Sequence, residues 1–350
     1  MAFTPGFVPS EAENLVAVCS NLEGTPPPPL QAPPQPAGWM LVFDSQQFGP
    51  FDNRWQLWQT NVSGQYAVVI RGTVSTAGSI IEDLLSVMIP ASGSVGLGPI
   101  KLSYQLAADP LAAVHLGFTL GSFFTLLDPL VGILLKLIEL VPAGSEVFVA
   151  GHSQGAAEAT LVRSYLAYPN LLTGLLDYQY KTYVFAQPKP GNDHYGWDFE
   201  AVASNDGMGF RVANDQDWVP QVPFTFELPG DVNAPNPLSV MTLAQLQLGT
   251  VANDLEALHS RLAAARTAQY RPHIAALAQV AAQQKLVKTE PATAASSSIS
   301  IAKTLNFLGC GWEVALQGTP GTNPDDPGDS FWQHHAAMYY DLLQKQFPAG

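Results

Sequence analysis

The sequence has few cationic side chains. Only 15 Lys and Arg residues stand against 29 Asp and Glu residues, and the formal net charge is −14. Binding to nucleic-acid phosphates needs clustered cations, so the composition argues against a nucleic-acid partner. An anionic membrane surface would also repel the chain, and any contact with lipid must therefore be hydrophobic.

Cysteine is scarce as well, with Cys19 and Cys310 the two residues of this type. Two cysteines cannot build a disulfide framework or a cysteine-ligated zinc site. They either form one bridge or stay free, and buried free thiols are the simpler interpretation. No motif in the sequence implies a metal or a cofactor, and we expect neither.

Long apolar runs are missing. The N-terminal stretch MAFTPGFVPSEAENL has neither the basic start nor the apolar run of a signal peptide. The localisation therefore stays open between the cytoplasm and export by a non-standard route. No window reaches the roughly 18 uncharged apolar residues of a membrane span. The nearest approach, residues 111–141, is interrupted by His115, Asp128, Lys136 and Glu139.

Short apolar segments do occur, and strand patterns alternate with helix patterns. Alternating and β-branched residues predict strands, and longer apolar stretches at 111–140 and 154–168 predict helices. The alternation is typical of a mostly parallel central sheet flanked by helices, an α/β fold. The predicted strands cover residues 39–43, 54–60, 66–72, 145–150, 181–188 and 209–214.

The remaining segments divide the chain. Residues 1–38 are predicted as an N-terminal arm, extended and Pro-rich over 22–38, ahead of one domain spanning 39–350. Residues 88–109 carry Gly, Ser and Pro and are predicted as a mobile loop. A block of Ala, Leu and Gln at 238–300 is predicted as a helical insertion that ends in a small-residue linker.

The pentapeptide Gly151-His152-Ser153-Gln154-Gly155 follows a predicted buried strand and opens a predicted helix. This is the context of the G-x-S-x-G nucleophile elbow, where a tight turn presents the serine hydroxyl above the sheet. Glycine flanks the turn because larger side chains would collide. We therefore interpret Ser153 as a nucleophile, which needs a base and a residue that orients the base.

Five segments occur in order along the chain: VVIRGT with EDL (68–84), VHLGF (114–118), VFVAGHSQGAAEA (147–159), YVFAQPKPGN (183–192) and RVANDQDWVPQVP (211–223). Together they resemble the class 3, fungal-type triacylglycerol lipases of the α/β-hydrolase superfamily. The resemblance covers roughly residues 40–225 plus the C-terminus. It implies a serine ester hydrolase with a Ser-His-Asp triad, an acyl-enzyme and a lipid or other apolar ester as substrate. Small departures are Ala156 and Ala186, which stand where glycine is usual.

The acid and the base follow Ser153 in the chain order of this fold. The resemblance assigns the acid to Asp217 in Asp-Trp-Val-Pro, and Asp215 is expected to bond the loop. The base lies in the adjacent pair His334 and His335. In bacterial and plant-like members of the family, the base is followed by a tyrosine five positions on and by an apolar helix face. The resemblance therefore favours His334, since Tyr339 stands five positions after it and the later leucines fall on the apolar face; His335 is the second choice.

The oxyanion of the reaction requires fixed N–H donors. Gln154 N–H is the expected first donor, and the resemblance adds Thr73 as the second, with Asp83 anchoring the loop. Residues 85–110 occupy the place of the family's lid, which predicts higher activity at a lipid–water interface. A feruloyl, phospholipid or polyester esterase, or an acyltransferase, on the same scaffold stays an alternative.

Overall fold

The computed structural model describes residues 3–72, 87–97, 100–169, 173–227, 231–236, 249–283 and 299–348. The strands are β1 (Met40–Asp44), β2 (Arg54–Gln59), β3 (Gln65–Arg71), β4 (Met88–Pro90), β5 (Ser92–Leu97), β6 (Ile100–Gln105), β7 (Ala113–His115), β8 (Glu146–His152), β9 (Gln179–Phe185), β10 (Gly191–Asn192), β11 (Gly209–Asn214), β12 (Phe307–Leu308) and β13 (Trp312–Leu316). The helices are α1 (Pro9–Glu23), α2 (Leu116–Leu127), α3 (Ile133–Leu140), α4 (Gln154–Ala167), α5 (Asp193–Val202), α6 (Gly249–Gln283) and α7 (Ala336–Gln346).

A seven-stranded sheet with the order β1-β2-β3-β8-β9-β11-β13 forms the centre of the domain. The pairs from β3 through β13 are parallel, whereas β1 and β2 join antiparallel at one edge. All six strands predicted from the sequence lie in this sheet, and the expected α/β-hydrolase fold is confirmed. The seventh strand, β13, was not predicted.

Two hydrophobic cores lie on opposite faces of the sheet. Along β8, Val147 and Val149 point into one core, and Phe148 and Ala150 point into the other. A strand buried on both faces reads as a continuous apolar run, which is why SEVFVA predicts a central parallel strand. Helices α2 to α6 contribute to the first core, and α1 and α7 cover the second.

The predicted single helix over 111–140 is wrong. This segment forms strand β7 and then two helices, α2 and α3, separated at Asp128. Asp128 precedes Pro129, and a proline disfavours helical backbone in the residue before it. The Asp128 side chain then accepts hydrogen bonds from the backbone N–H groups of Leu130 and Val131, which stabilises the turn.

The loop predicted over 88–109 is also wrong for the residues that the structure describes. Strand β4 joins β7, β10 and β12 in a second sheet, and β5 and β6 pair as a hairpin. The Tyr104 hydroxyl donates a hydrogen bond to the Pro90 carbonyl, and Leu106 is fully buried. Gly and Ser disfavour strands locally, but pairing and packing override that preference here.

The predicted helical insertion contains α6, a helix of 35 residues. The flanking residues 237–248 and 284–298 lie outside the described residues. One face of α6 packs against α2 and the β5–β6 hairpin. Within the described ranges, no helix combines the length and the apolar character that crossing a bilayer requires.

The N-terminal segment differs from a simple extended arm. Residues 9–23 form helix α1, and residues 24–39 follow without helix or strand. Pro9 occupies the first helical turn, where its missing N–H costs nothing. Apolar side chains three and four positions apart then build a buried face: Ala12, Leu15, Val16, Cys19 and Leu22.

Both cysteines are free and buried. Cys19 lies in the core under α1, and Cys310 lies in the core on the opposite face of the sheet. The sheet therefore separates the two thiols, and the single bridge considered from the sequence is absent.

Candidate active site

Ser153 stands at the sharp turn between β8 and α4. Its backbone has φ 58° and ψ −132°, a conformation that costs an L-residue on the order of 1–3 kcal/mol. A Cβ atom at Gly151 would collide with the Gly155 carbonyl oxygen, and one at Gly155 would collide with the Ile70 carbonyl oxygen. Glycine is therefore required at both positions, as the elbow motif predicts.

A continuous hydrogen-bonded chain runs from Ser153 through His334 to Asp217. The Ser153 Oγ atom lies 2.8 Å from His334 Nε2, and His334 Nδ1 lies 2.8 Å from Asp217 Oδ2. A carboxylate can only accept, so Nδ1 carries the ring proton and Nε2 is free to accept the serine proton. Ser153 is half-buried, whereas His334 and Asp217 are buried.

The Asp217 carboxylate receives two further hydrogen bonds. The Val219 N–H donates to Oδ1 at 2.9 Å, and the Tyr339 hydroxyl donates to Oδ2 at 2.9 Å. Burial on its own raises the pKa of Asp217. The charge and hydrogen bond of His334, together with these two donors, outweigh burial and hold that pKa below its usual value. The carboxylate therefore stays ionised beside the imidazole.

The side chains of the adjacent residues His334 and His335 contact different partners. The His335 Nε2 atom lies 3.0 Å from Asp329 Oδ2, away from Ser153, and His335 occupies the position before helix α7. Asn323 donates a second hydrogen bond to the same Asp329 oxygen. The structure thus brings the first choice, His334, to Ser153, and it gives His335 a role in holding the Asp329 loop.

The other candidate residues lie away from the serine. Asp215 is exposed, and its Oδ1 atom accepts the Gly318 N–H at 2.9 Å, so it bonds the loop as expected. His115 caps helix α2 by accepting the Phe118 N–H through Nδ1. His259 and His273 lie on α6.

The predicted oxyanion donors are described in part. Gln154 is the first residue of α4, a position where a backbone N–H has no intrahelical acceptor. Gly72 lies directly beside it, since a Cβ atom at Gly72 would be 3.4 Å from the Gln154 nitrogen. Thr73 and Asp83, the other residues assigned to this region, lie outside the described residues.

Two contacts of the site were not predicted. The sequence placed Tyr339 on an apolar helix face, but its hydroxyl touches Asp217; only its spacing of five from His334 pointed to it. The His152 side chain bonds Glu23 and the backbone of His334. No local signal connects residues 129 positions apart, so this second contact required the fold.

The fold and this serine-centred site define a carboxylic ester hydrolase of the α/β-hydrolase class. Residues 67–227 match the family model described as Lipase (class 3). The family resemblance found in the sequence is therefore confirmed. The match contains Ser153 and Asp217. A comparison with curated proteins found no match.

Solved lipase structures are similar to this chain. The lipase from Rhizopus microsporus var. chinensis is 19% identical, with 63% of this chain and 71% of that chain covered and a TM-score of 0.43. Lip2 lipase from Yarrowia lipolytica is 21% identical, with 64% and 78% covered and a TM-score of 0.46. The triacylglyceride lipase from Rhizomucor miehei is 17% identical, with 61% and 74% covered and a TM-score of 0.41.

In the part of the chain that the structure describes, no three His, Cys, Asp or Glu side chains are grouped so that they could hold a metal ion.

Proposed function

We propose that the chain hydrolyses lipid-like carboxylic esters through an acyl-enzyme, with Ser153 as nucleophile, His334 as general base and Asp217 as the residue that orients the base. The single observation that carries the proposal is the hydrogen-bonded chain of two 2.8 Å contacts joining the three side chains. Serine is a weak nucleophile by itself, and such a chain supplies the proton acceptor that it needs.

In the first half-reaction the Ser153 Oγ attacks the ester carbonyl carbon while its proton passes to His334 Nε2. The tetrahedral intermediate carries negative charge on the former carbonyl oxygen, which accepts hydrogen bonds from Gln154 N–H and from Thr73. The carbon–oxygen bond to the alcohol then breaks, and His334 gives its proton to the departing alcohol. Asp217 stabilises the imidazolium in between without taking its proton.

In the second half-reaction water takes the place of the alcohol. His334 removes a proton from water, the resulting hydroxide attacks the acyl carbon, and the bond to Ser153 Oγ breaks as the proton returns to the serine. The products are a carboxylic acid and the regenerated enzyme. Each proton that leaves one oxygen is delivered to another, so the cycle closes.

Aromatic side chains support an apolar substrate. The Phe331 ring lies 5.8 Å from the His334 ring, and Trp218 packs 5.2 Å from Phe331. Both aromatic side chains are half-buried, which leaves apolar surface beside the base. Burying one methylene is worth about 0.8 kcal/mol, so kcat/KM should rise roughly fourfold per methylene while the acyl chain remains in contact with protein.

The lid assignment to residues 85–110 belongs to the same proposal. Described parts of this segment form β4 and the β5–β6 hairpin, which lies against helix α6. We expect activity to rise when the ester forms an emulsion, because a lipid surface would displace the proposed lid and give the ester access to Ser153. Equal rates on dissolved and emulsified ester would count against this part of the proposal.

The deciding experiment compares hydrolysis of p-nitrophenyl esters of increasing acyl length by the wild type and by Ser153→Ala. We expect the variant to lose on the order of 10⁴-fold or more in kcat, because the nucleophile is removed. Ser63→Ala, at an exposed serine on the same domain, is the matched control and should leave kcat unchanged. A phosphonate ester should label Ser153 in the wild type. Full activity of Ser153→Ala, or labelling of another residue, would refute the assignment.

A further inference from the structure

The side chain of His152, one residue before the proposed nucleophile, has both ring nitrogens engaged. Nε2 lies 2.7 Å from the backbone carbonyl oxygen of His334. Nδ1 lies 2.7 Å from Glu23 Oε1, at the last residue of helix α1. The ring is almost fully buried, and the Glu23 side chain is 28% exposed. The His152 imidazole therefore links the end of helix α1 to the loop that carries the proposed base.

Both partners of this imidazole are acceptors, which fixes the number of protons. A backbone carbonyl can only accept, so Nε2 must carry a proton. A carboxylate also accepts, so Nδ1 must carry a second proton if Glu23 is ionised. A neutral imidazole has one N–H and can satisfy only one of the two contacts. The two short contacts are therefore satisfied together only when His152 carries a second ring proton, that is, as an imidazolium beside the ionised Glu23.

We propose that Glu23 and His152 are positioning residues for the proposed base: an imidazolium–carboxylate pair that holds the His334 carbonyl and with it the His334 ring in reach of Ser153. The proposal rests on the proposed function, since it assigns His334 as the base. Neither Glu23 nor His152 touches the reacting atoms. Their effect is on the placement of His334, and it depends on the second proton of His152.

Four side chains face His152. The carboxylates are Glu23 from α1 and Asp217 from the loop after β11. The rings are His334, whose centroid lies 4.8 Å away, and Tyr339 of α7, whose centroid lies 5.8 Å away. Arg71 on β3 interacts electrostatically with Glu23. Burial lowers the pKa of His152, but Glu23, Asp217 and the His334 carbonyl outweigh it and raise that pKa above the ordinary value.

The raised pKa of His152 determines how the site responds to pH. A raised pKa means that the double contact is complete below it and is lost as the pH rises through it. Above this pKa, one ring proton remains. If it stays on Nδ1, the hydrogen bond from Nε2 to the His334 carbonyl is lost; if it lies on Nε2, the lone pair of Nδ1 faces a lone pair of the Glu23 carboxylate. Either state loosens the His334 loop. The wild-type kcat should therefore fall about tenfold at alkaline pH, since small misplacements of a catalytic group are costly.

Glu23→Gln tests this proton count. The side-chain amide that this substitution introduces donates to Nδ1 of a neutral His152, whose Nε2–H still donates to the His334 carbonyl. Both contacts then survive without the second proton. We expect Glu23→Gln to keep the neutral-pH kcat within about threefold and to lose the alkaline fall, with KM unchanged. Glu23→Ala should lower kcat at all pH values.

Glu11→Gln is the matched control at the other end of the same helix. Glu11 is half-buried, pairs with the buried Lys181 and accepts a hydrogen bond from the Tyr183 hydroxyl, away from His152 and His334. The control should lower thermal stability yet leave the pH profile of kcat as in the wild type. An alkaline fall that persists in Glu23→Gln, or one that disappears in Glu11→Gln as well, would overturn the proposal.

A histidine NMR titration provides a readout that does not depend on activity. His152 in the wild type should keep both ring protons above pH 6.5, the ordinary histidine pKa, and should lose the second at a lower pH in Glu23→Ala, because burial then lowers its pKa without the opposing carboxylate. A His152 that titrates at or below pH 6.5 in the wild type refutes the pair. If no ester is hydrolysed and Ser153 resists phosphonate, the proposed function fails instead, and the titration still decides the present proposal.

Discussion

Gly155→Ala is the most direct perturbation of the elbow, because Gly155 packs against the end of β3. A Cβ atom at this position would lie 2.3 Å from the Ile70 carbonyl oxygen and 2.7 Å from the Gly72 nitrogen. Ordinary contact begins at about 3.4 Å, so the two backbones must separate by about 1.1 Å (3.4 minus 2.3). The displacement would separate Gln154 from Gly72, the residue before Thr73. Gln154 and Thr73 are the two proposed oxyanion donors.

The expected result is a large loss of rate with a smaller loss of stability. A misplacement near 1 Å in an active site costs about 10²-fold in rate, and overpacking costs about 1–3 kcal/mol. We expect kcat for a p-nitrophenyl ester to fall about 10²-fold and the thermal midpoint to fall by a few degrees. Labelling of Ser153 by a phosphonate should slow in parallel, since it forms a similar tetrahedral centre.

Gly174→Ala is the control for this substitution. Gly174 is exposed, and a Cβ atom there would meet no atom within 4 Å. Its kcat and its stability should equal those of the wild type within error. If Gly155→Ala keeps more than half of the wild-type kcat, the close approach of β3 to the elbow does not govern the reaction, and the oxyanion assignment loses its structural support.

Three further predictions concern charged groups. Asp217→Asn should lower kcat on the order of 10⁴-fold in the ester assay, because an amide favours the wrong tautomer of the base, with KM little changed. Asp44 is half-buried, which raises its pKa, but hydrogen bonds from Arg54 and other donors lower that pKa from 3.8 to about 2. The stabilisation by Asp44 is present above pH 4 and lost toward pH 2, so the stability gap to Asp44→Asn in urea titrations should shrink over that range. Lys181→Met leaves Glu11 without its buried partner and should lower the free energy of unfolding by about 3 kcal/mol while kcat is kept.

The sequence predicted those features that local chemistry determines. The elbow at Ser153 could be recognised because two glycines, a buried strand and a helix start occur together within one short segment. The order of nucleophile, acid and base limited the search to residues after Ser153. The choice of His334 over His335 depended on helix periodicity, and the structure sets His334 against Ser153 and turns His335 to Asp329.

Other features depend on tertiary contacts and escaped prediction. The hairpin β5–β6 is built from Gly and Ser positions that favour strands only when paired. The break between α2 and α3 at Asp128 was visible as Asp-Pro but was overridden by the strong apolar pattern on either side. Helix α1 has an apolar face in the sequence, but the elements that pack against this face lie far along the chain. The helical pattern of α1 does not identify them.

The position of α1 has a consequence for how the chain folds during synthesis. This helix is synthesised before the helix it packs against, α7, which begins at residue 336. Contacts between such distant residues form slowly because a very long loop must close. The part of the apolar side of α1 that packs against α7 therefore stays uncovered until residues 336–346 have been synthesised. A holding chaperone should raise the yield of native enzyme more than it would for a protein built from neighbouring segments.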